Sequence, residues 1–156
     1  MRLCPCGWLG HSSGRCRCSP DQVARYRGKL SGPLLDRIDL MVELASLSAD
    51  ELQEENGAET SDAVRGRVAA ARVRQIDRQG RPNAALETRE IETHCALDLP
   101  AKELLKRAIV RLDLSGRSYH RVLRVARSIA DLAAAPVVAS AHIAEAVHYR
   151  RGLGGD

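Results

Sequence analysis

The chain has 156 residues, with 24 lysines and arginines against 20 acidic residues and a formal net charge of +4. This length suits one medium domain or two small ones, and the mildly basic balance permits contact with DNA or nucleotide phosphates without requiring it. The sequence has no phenylalanine and only 3% aromatic residues, which argues against a surface that stacks many bases on aromatic rings.

Residues 1–10 lack the apolar core of a signal peptide, and no run of about 20 apolar residues offers a membrane helix. We therefore expect a cytoplasmic protein without membrane contact. In that compartment cysteines are more often thiols or metal ligands than disulfides.

Four cysteines near the start of the chain follow the spacing C-x-C, nine residues, C-x-C. They are Cys4, Cys6, Cys16 and Cys18. Zn²⁺ prefers four soft ligands in a tetrahedron, and a short loop can supply them, with His11 as an alternative fourth ligand. The spacing is not the common C-x₂-C, so reduced thiols that only pack and turn the backbone remain an equal alternative. Cys95 stands apart, and we expect it to be a small buried residue.

The first predicted helix follows the cysteines. Ser19 is placed as its N-cap and Pro20 as its first-turn proline, so the helix should run through Arg27. The Ser-Gly-Pro sequence at 31–33 should then break the helical path.

An apolar segment and an acidic segment come next. The run IDLMVEL at 38–44 predicts a buried strand, with a short helix as the alternative. Residues 45–60 are acidic and polar and contain Asn56-Gly57, which predicts a linker.

From residue 61 the pattern becomes helical and remains so. Ser61 and Ser140 are predicted N-caps, Thr88 a helix start and Pro100 a first-turn residue. The expected helices are 61 to about 79, 88–94, one from Pro100 through Leu112, one after the Leu-Ser-Gly break at 114–116, and one from 140 onward.

One of these helices carries a row of basic residues. Arg117, Arg121 and Arg124 fall at i, i+4 and i+7 and so share a face, and Arg127 can pair with Asp131 one turn later. An anionic partner would offset the repulsion within the row, and Arg117 sits at a helix start, which favours phosphate. The alternative is an ordinary solvated basic face.

Arg37 is the second candidate for phosphate binding. It lies between Asp36 and Asp39, after a Gly-Pro turn and two leucines. A guanidinium is always charged and binds phosphate oxygens in a planar fork. The alternative is a weak surface ion pair with one of the two aspartates.

Two long segments resemble one protein family. CPCGWLGHSSGRCRCSPDQVARYRGKLSGPLLDRIDL is similar to the second half of the ATPase domain of Mg-chelatase-like AAA+ proteins of the ComM/YifB family, and LSGRSYHRVLRVARSIADLA is similar to their helical lid. The resemblance implies a mostly α fold. Residues 1–44 would be a partial AAA+ core with a Cys-rich loop, a short helix and one strand, followed by a linker at 45–60, a helical-bundle lid at 61–150 and a tail at 151–156.

The resemblance also implies site residues and partners. Arg37 matches an arginine finger that acts in trans on a neighbouring subunit's ATP, and Arg117 matches the sensor-2 arginine that contacts nucleotide phosphate, with Arg124 as the fallback. ATP and Mg²⁺ are the implied cofactors. The implied assembly is a homo-oligomeric ring, commonly a hexamer, that performs ATP-driven work on DNA such as branch migration during uptake and recombination.

The phosphate-binding loop of such ATPases does not occur in the sequence. Gly28-Lys29 is followed by Leu30 rather than Ser or Thr, and no apolar strand ending in paired acids precedes the cysteines. We therefore expect the chain not to hydrolyse ATP alone. Two alternatives remain open, a zinc-stapled module that binds nucleic acid or protein without catalysis, and a non-functional truncated product.

Overall fold

A computed structural model describes residues 3–11, 13–29, 31–35, 37–42, 44 and 59–150. The described chain is mostly helical and divides into two compact units. Unit 1 comprises Met1–Ile38 and Glu43–Gly57, and unit 2 comprises Asp39–Val42 and Ala58–Asp156. Within the described ranges, no helix is both long and apolar enough to span a bilayer. Residues 45–58 of the predicted linker at 45–60, and the predicted tail at 151–156, lie outside the described residues.

The described residues of unit 1 form two short helices, α1 (Pro20–Arg27) and α2 (Gly32–Leu35). The predicted start of α1 is confirmed, because the Ser19 side chain accepts a hydrogen bond from the Gln22 N–H while the Gln22 side chain accepts one from the Ser19 N–H. The predicted break at 31–33 is wrong in detail, since Ser31 caps α2 through the Leu34 N–H.

The predicted strand at 38–44 is wrong for the residues described there. Leu40, Val42 and Leu44 are exposed, and neither strand nor helix forms. A strand requires a neighbour to pair its backbone groups, and the described chain places no extended segment beside this one. Its Met41 N–H donates instead to the carbonyl of Tyr149, at 2.9 Å.

Unit 2 is a helical bundle, as predicted. Its helices are α3 (Ser61–Gln79), a 3₁₀ turn (Asn83–Ala85), α4 (Thr88–His94), α5 (Leu99–Leu112), α6 (Gly116–Leu132) and α7 (Ser140–His148). Two predicted caps are off by one residue. Thr60 rather than Ser61 caps α3 by accepting from the Ala63 N–H, and Ala139 rather than Ser140 occupies the cap of α7.

Helix α6 lies at the centre of this bundle and packs against α3, the 3₁₀ turn, α4 and α7, while α5 packs against α7. The core around it is built from aliphatic side chains and alanine, among them Leu105, Val122, Ala126 and Ile143. Cys95 belongs to this core, as predicted, and burial raises the pKa of its thiol to about 11. It is therefore a neutral packing residue at physiological pH.

A buried ion-pair network fixes α6 to α3. Asp131 is 1% exposed and accepts hydrogen bonds from Arg78 at 2.6 and 3.0 Å, from Asn83 at 2.8 Å and from Arg127 at 3.1 Å. The predicted pairing of Arg127 with Asp131 is thus confirmed. Arg127 is also buried, and its remaining N–H groups donate to the carbonyls of Ala135 and Pro136. Sequence periodicity gave no sign of the contributions of Arg78 and Asn83.

The surroundings of this network shift the pKa values of both Asp131 and Arg127. Burial alone would raise the pKa of Asp131, but the hydrogen bonds from Arg78 and Asn83 and the charge of Arg127 hold it below its usual value. Burial lowers the pKa of Arg127 in spite of the attraction of Asp131. The carboxylate is therefore ionised in the folded protein, and the network depends on that charge.

Replacing Asp131 with alanine should lower the free energy of unfolding by about 3–5 kcal/mol, because the Arg127 guanidinium would stay buried without its counter-ion. Urea unfolding at pH 7, followed by far-ultraviolet circular dichroism, measures the change. Asp62→Ala is the matched control, since Asp62 pairs with Arg65 on an exposed surface and should hardly move the midpoint. Equal midpoints for the two variants would contradict a stabilising role for the network.

The same network predicts a pH dependence. Since the folded-state pKa of Asp131 lies below its unfolded value of about 3.9, the stability it contributes is complete above that value and is lost as pH falls through the folded pKa. Between about pH 5 and pH 2 the wild type should therefore lose more stability than Asp131→Asn, which cannot titrate at this position. Urea midpoints measured across that range compare the two slopes, and parallel slopes would refute the assignment.

Candidate functional site

The four clustered cysteines converge in unit 1, although they come from two separate C-x-C pairs. The sulfur of Cys4 lies 3.3 Å from that of Cys6 and 3.8 Å from that of Cys16, and Cys6 and Cys16 are 3.7 Å apart. The sulfur of Cys18 completes the group, and all four sulfurs lie within 4.8 Å of one another. Gly7 and Gly10 adopt left-handed backbone conformations (φ 81° and 83°) that turn the loop between the pairs.

This arrangement fits a tetrahedral thiolate metal site. With Zn–S bonds of about 2.3 Å, tetrahedral geometry separates the sulfurs by about 3.8 Å. The three short separations observed here lie close to that value. The donor set is closed at four sulfurs and leaves no position for substrate, which is typical of a structural rather than a catalytic site.

The pKa values of the Cys4 and Cys18 thiols are shifted in opposite directions. Burial alone would raise the pKa of Cys4, but hydrogen bonds from the Cys6 thiol, the N–H groups of Leu9 and Gly7 and the Cys16 thiol lower it to about 6. A backbone hydrogen bond from Cys6 acts to lower the pKa of Cys18, yet its sulfur neighbours and burial raise it to about 11. Sulfurs this close cannot all ionise unless a cation lies among them.

His11 does not join the four sulfurs. Its Nδ1 accepts a hydrogen bond from the Ser13 N–H at 3.0 Å, and its ring meets the edge of Trp8 at 4.9 Å. Arg15 lies over the Trp8 ring, with its guanidinium carbon 5.2 Å from the ring centroid. The alternative fourth ligand considered from the sequence therefore supports the loop by packing and is not part of the donor set.

Arg37 lies in unit 1, immediately after α2. Its N–H donates to the carbonyl of Leu34 at 3.0 Å, so it closes a turn at the end of that helix. The residue is exposed. The turn therefore places Arg37 at the surface of its unit.

Arg117 occupies the first turn of α6 in unit 2. The helix is capped by Ser115, whose hydroxyl accepts from the Ser118 N–H at 3.1 Å. Arg117 is exposed, and within the described part of the chain no acceptor contacts its guanidinium. It combines a positive side chain with the positive end of a 17-residue helix.

The other arginines of the predicted basic row are engaged within unit 2. Arg121 forms an ion pair with Asp39 at 2.5 Å, and Arg124 donates to the carbonyl of Leu86 at 2.6 Å. Arg127 belongs to the buried network already described. Much of the repulsion that the sequence pattern implied is thus offset by internal acceptors, and Arg117 is the member of the row that faces outward.

The ion pair of Asp39 belongs to a feature that the sequence did not reveal. Residues 39–42 lie along α6 and α7, where Leu40 and Val42 line a groove of about 390 Å³ together with Val125, Ile129 and Tyr149. Only the acid at 39 and the apolar residues beside it were visible in the sequence, and their partners are more than 80 residues away.

Comparison with known proteins gives matches along the whole described length. Residues 58–150 match the family described as magnesium chelatase, subunit ChlI C-terminal, and residues 1–52 match the family described as magnesium chelatase, subunit ChlI. Competence protein ComM of Haemophilus influenzae is 43% identical over 143 residues, which cover 90% of this chain and 28% of that protein. The uncharacterized proteins YifB of Salmonella typhimurium and Escherichia coli are 43% and 41% identical, with the same coverage. The chain thus spans about 28% of the length of these relatives.

Proposed function

We propose that this chain supplies the arginine-finger and lid elements of an AAA+ ATPase ring. The chain belongs to the family of the magnesium chelatase subunit ChlI, as the resemblance of its residues to ComM/YifB proteins predicted. In this proposal the ring is a homo-oligomer, commonly a hexamer, with an ATP site between each pair of neighbours. The observation that carries it is the exposure of two arginines, Arg37 and Arg117, at the positions that match the family's motifs.

Arg37 is the residue assigned to the neighbouring subunit's ATP. A guanidinium that contacts the transferring phosphoryl group stabilises the charge that develops in the transition state, and such a finger can be supplied in trans. The position of Arg37 on the turn after α2 supports this role, because the turn fixes the backbone while the side chain remains exposed.

Arg117 is the residue assigned to the nucleotide of its own subunit, as sensor 2. The N-terminus of α6 adds backbone N–H donors and a positive helix end to the guanidinium, a combination that favours phosphate. Arg124, the fallback for this role, already donates to the Leu86 carbonyl, so Arg117 is the better candidate. Phosphate bound there would act directly on the helix at the centre of the lid.

ATP bound with Mg²⁺ supplies the phosphoryl group and the charge that these arginines neutralise. No residue of this chain is assigned to Mg²⁺ itself, since Gly28-Lys29 is followed by Leu30 and lacks the hydroxyl that binds the ion. The chain therefore contributes phosphate contacts in the proposed ring but is not expected to turn over ATP by itself.

DNA is the proposed substrate of the ring. The relative from Haemophilus influenzae is a competence protein, and the net charge of +4 is compatible with contact with phosphates. ATP-driven work during DNA uptake or recombination, such as branch migration, is the activity that joins these two observations.

The cysteine cluster is the proposed site of a structural zinc ion. Four sulfurs within 4.8 Å of one another would hold the ion and fix the loop between Cys4 and Cys18. This cluster also supports the second candidate function, a zinc-stapled binding module without catalysis. The ATPase function requires Arg37, whereas the binding module does not.

The decisive test of the ATPase proposal is Arg37→Ala. It is made in a chimera in which this chain replaces the matched 143 residues of the Haemophilus influenzae ComM. We expect kcat for ATP to fall by about 10³–10⁵-fold with little change in ATP affinity, because the finger acts on the transition state. Coupled-enzyme turnover and fluorescent-nucleotide titration give the two quantities. Arg25→Ala, an exposed arginine in the last turn of α1, should retain turnover. Full turnover by Arg37→Ala would refute the finger.

Zinc content tests the cysteine cluster independently of ATP. We expect about one zinc per wild-type chain by inductively coupled plasma mass spectrometry and nearly none after Cys16→Ser, since three thiolates and a hydroxyl hold zinc poorly. Cys95→Ala is the control, because its thiol lies in the core of unit 2 and should not affect zinc. Zinc-free wild-type protein, prepared without chelators and with its thiols reduced, would rule out the site.

A further inference from the structure

The ion pair between Asp39 and Arg121 joins the segment that follows the proposed finger to the helix that carries the proposed sensor. We infer that Asp39 and Arg121 are positioning residues for Arg37, through which the state of α6 sets the conformation of the finger. This inference rests on the proposed function. It concerns two residues that neither touch ATP nor form part of the buried network.

Asp39–Val42 is a short piece of chain that departs from its sequence neighbours. The residues before and after it belong to unit 1, whereas these four belong to unit 2. Arg37 therefore lies two residues before a point at which the chain is attached to the lid. Two peptide units give little slack, so the position of Asp39 limits where the backbone of Arg37 can lie.

Three contacts attach this segment within unit 2. The carboxylate of Asp39 lies 2.5 Å from Nη1 of Arg121. The Met41 N–H donates to the Tyr149 carbonyl at 2.9 Å. Leu40 and Val42 line the groove with Val125 and Ile129. The polar contacts define the register of the segment along α6 and α7, which apolar packing alone would not.

Arg121 lies one helical turn after Arg117 on the same face of α6. A phosphate that draws Arg117 and the start of α6 towards it would also move the guanidinium of Arg121. The attached Asp39 would follow, and with it the chain that leads to Arg37. The nucleotide of one site would thereby influence the finger offered to the next site, through one helix turn and one ion pair.

The exposure of the carboxylate suits a positioning role better than a stabilising one. The side chain of Asp39 is 57% exposed while that of Arg121 is 19% exposed, and an ion pair whose carboxylate is open to solvent contributes little to folding stability. Loss of the pair should leave the fold intact and affect catalysis. A merely structural contact would show the reverse pattern, or no effect of either kind.

The test uses the chimera described above with Asp39→Asn, Arg121→Gln and the charge-exchanged double variant Asp39→Arg/Arg121→Asp. We expect each single variant to lower kcat for ATP by about tenfold or more while KM stays within about twofold, because the finger would be misplaced in the transition state. The exchanged pair should recover at least half of the loss. The melting temperature of the 156-residue chain should change by no more than about 4 °C in each case.

Asp62→Asn is the matched control, since it removes an exposed Asp–Arg pair on α3 that is remote in sequence from Arg37. It should leave kcat unchanged. The inference is overturned if the single variants turn over ATP like the wild type. It is also overturned if their kcat falls without recovery in the exchanged pair, or if the loss of kcat accompanies a comparable loss of thermal stability.

Arg37→Ala separates this inference from the proposal beneath it. If that variant retains turnover, Arg37 is not a finger and the inference fails with the proposed function. If that variant loses turnover while Asp39→Asn and Arg121→Gln keep it, the finger stands and only its attachment through Arg121 is refuted.

Discussion

The buried carboxylate of Asp131 fixes the position of α6, since it accepts hydrogen bonds from two arginines and an asparagine that come from three separate elements. A charge enclosed in this way cannot shift without leaving a guanidinium unpaired in the core. The network therefore holds the C-terminal end of α6 against α3. The opposite end carries Arg117, the residue proposed to contact phosphate.

The arginines of α6 divide according to their distance from that anchor. Arg127 is enclosed, Arg124 donates to a backbone carbonyl, Arg121 holds the exposed Asp39, and Arg117 faces solvent. A gradient from structural to accessible charge thus runs along one helix over ten residues of sequence. Such a gradient suits a lid that is firm at its base and responsive at its tip, because the cost of moving each charge rises with its burial.

The cysteine cluster and the segment at 38–44 differ in how far their structure could be predicted from local sequence. In the cysteine cluster, two glycine turns bring the four sulfurs together within one short loop, so the donor set could be predicted from spacing, although not its exclusion of His11. The strand prediction at 38–44 failed for the complementary reason. An apolar and β-branched composition indicates that burial of the side chains is favourable, but a strand forms only where another backbone can pair with it.

The sequence by itself determined the helices of unit 2, the start of each to within about one residue, the capping of α1, the pairing of Arg127 with Asp131 and the burial of Cys95. All of these depend on periodicity or on neighbours within a turn or two. Only the tertiary structure decided that Arg78 and Asn83 complete the buried network, that Arg121 is paired with Asp39, and that Arg117 faces outward. Those outcomes depend on contacts between residues roughly 50 to 80 positions apart, which local propensity cannot encode.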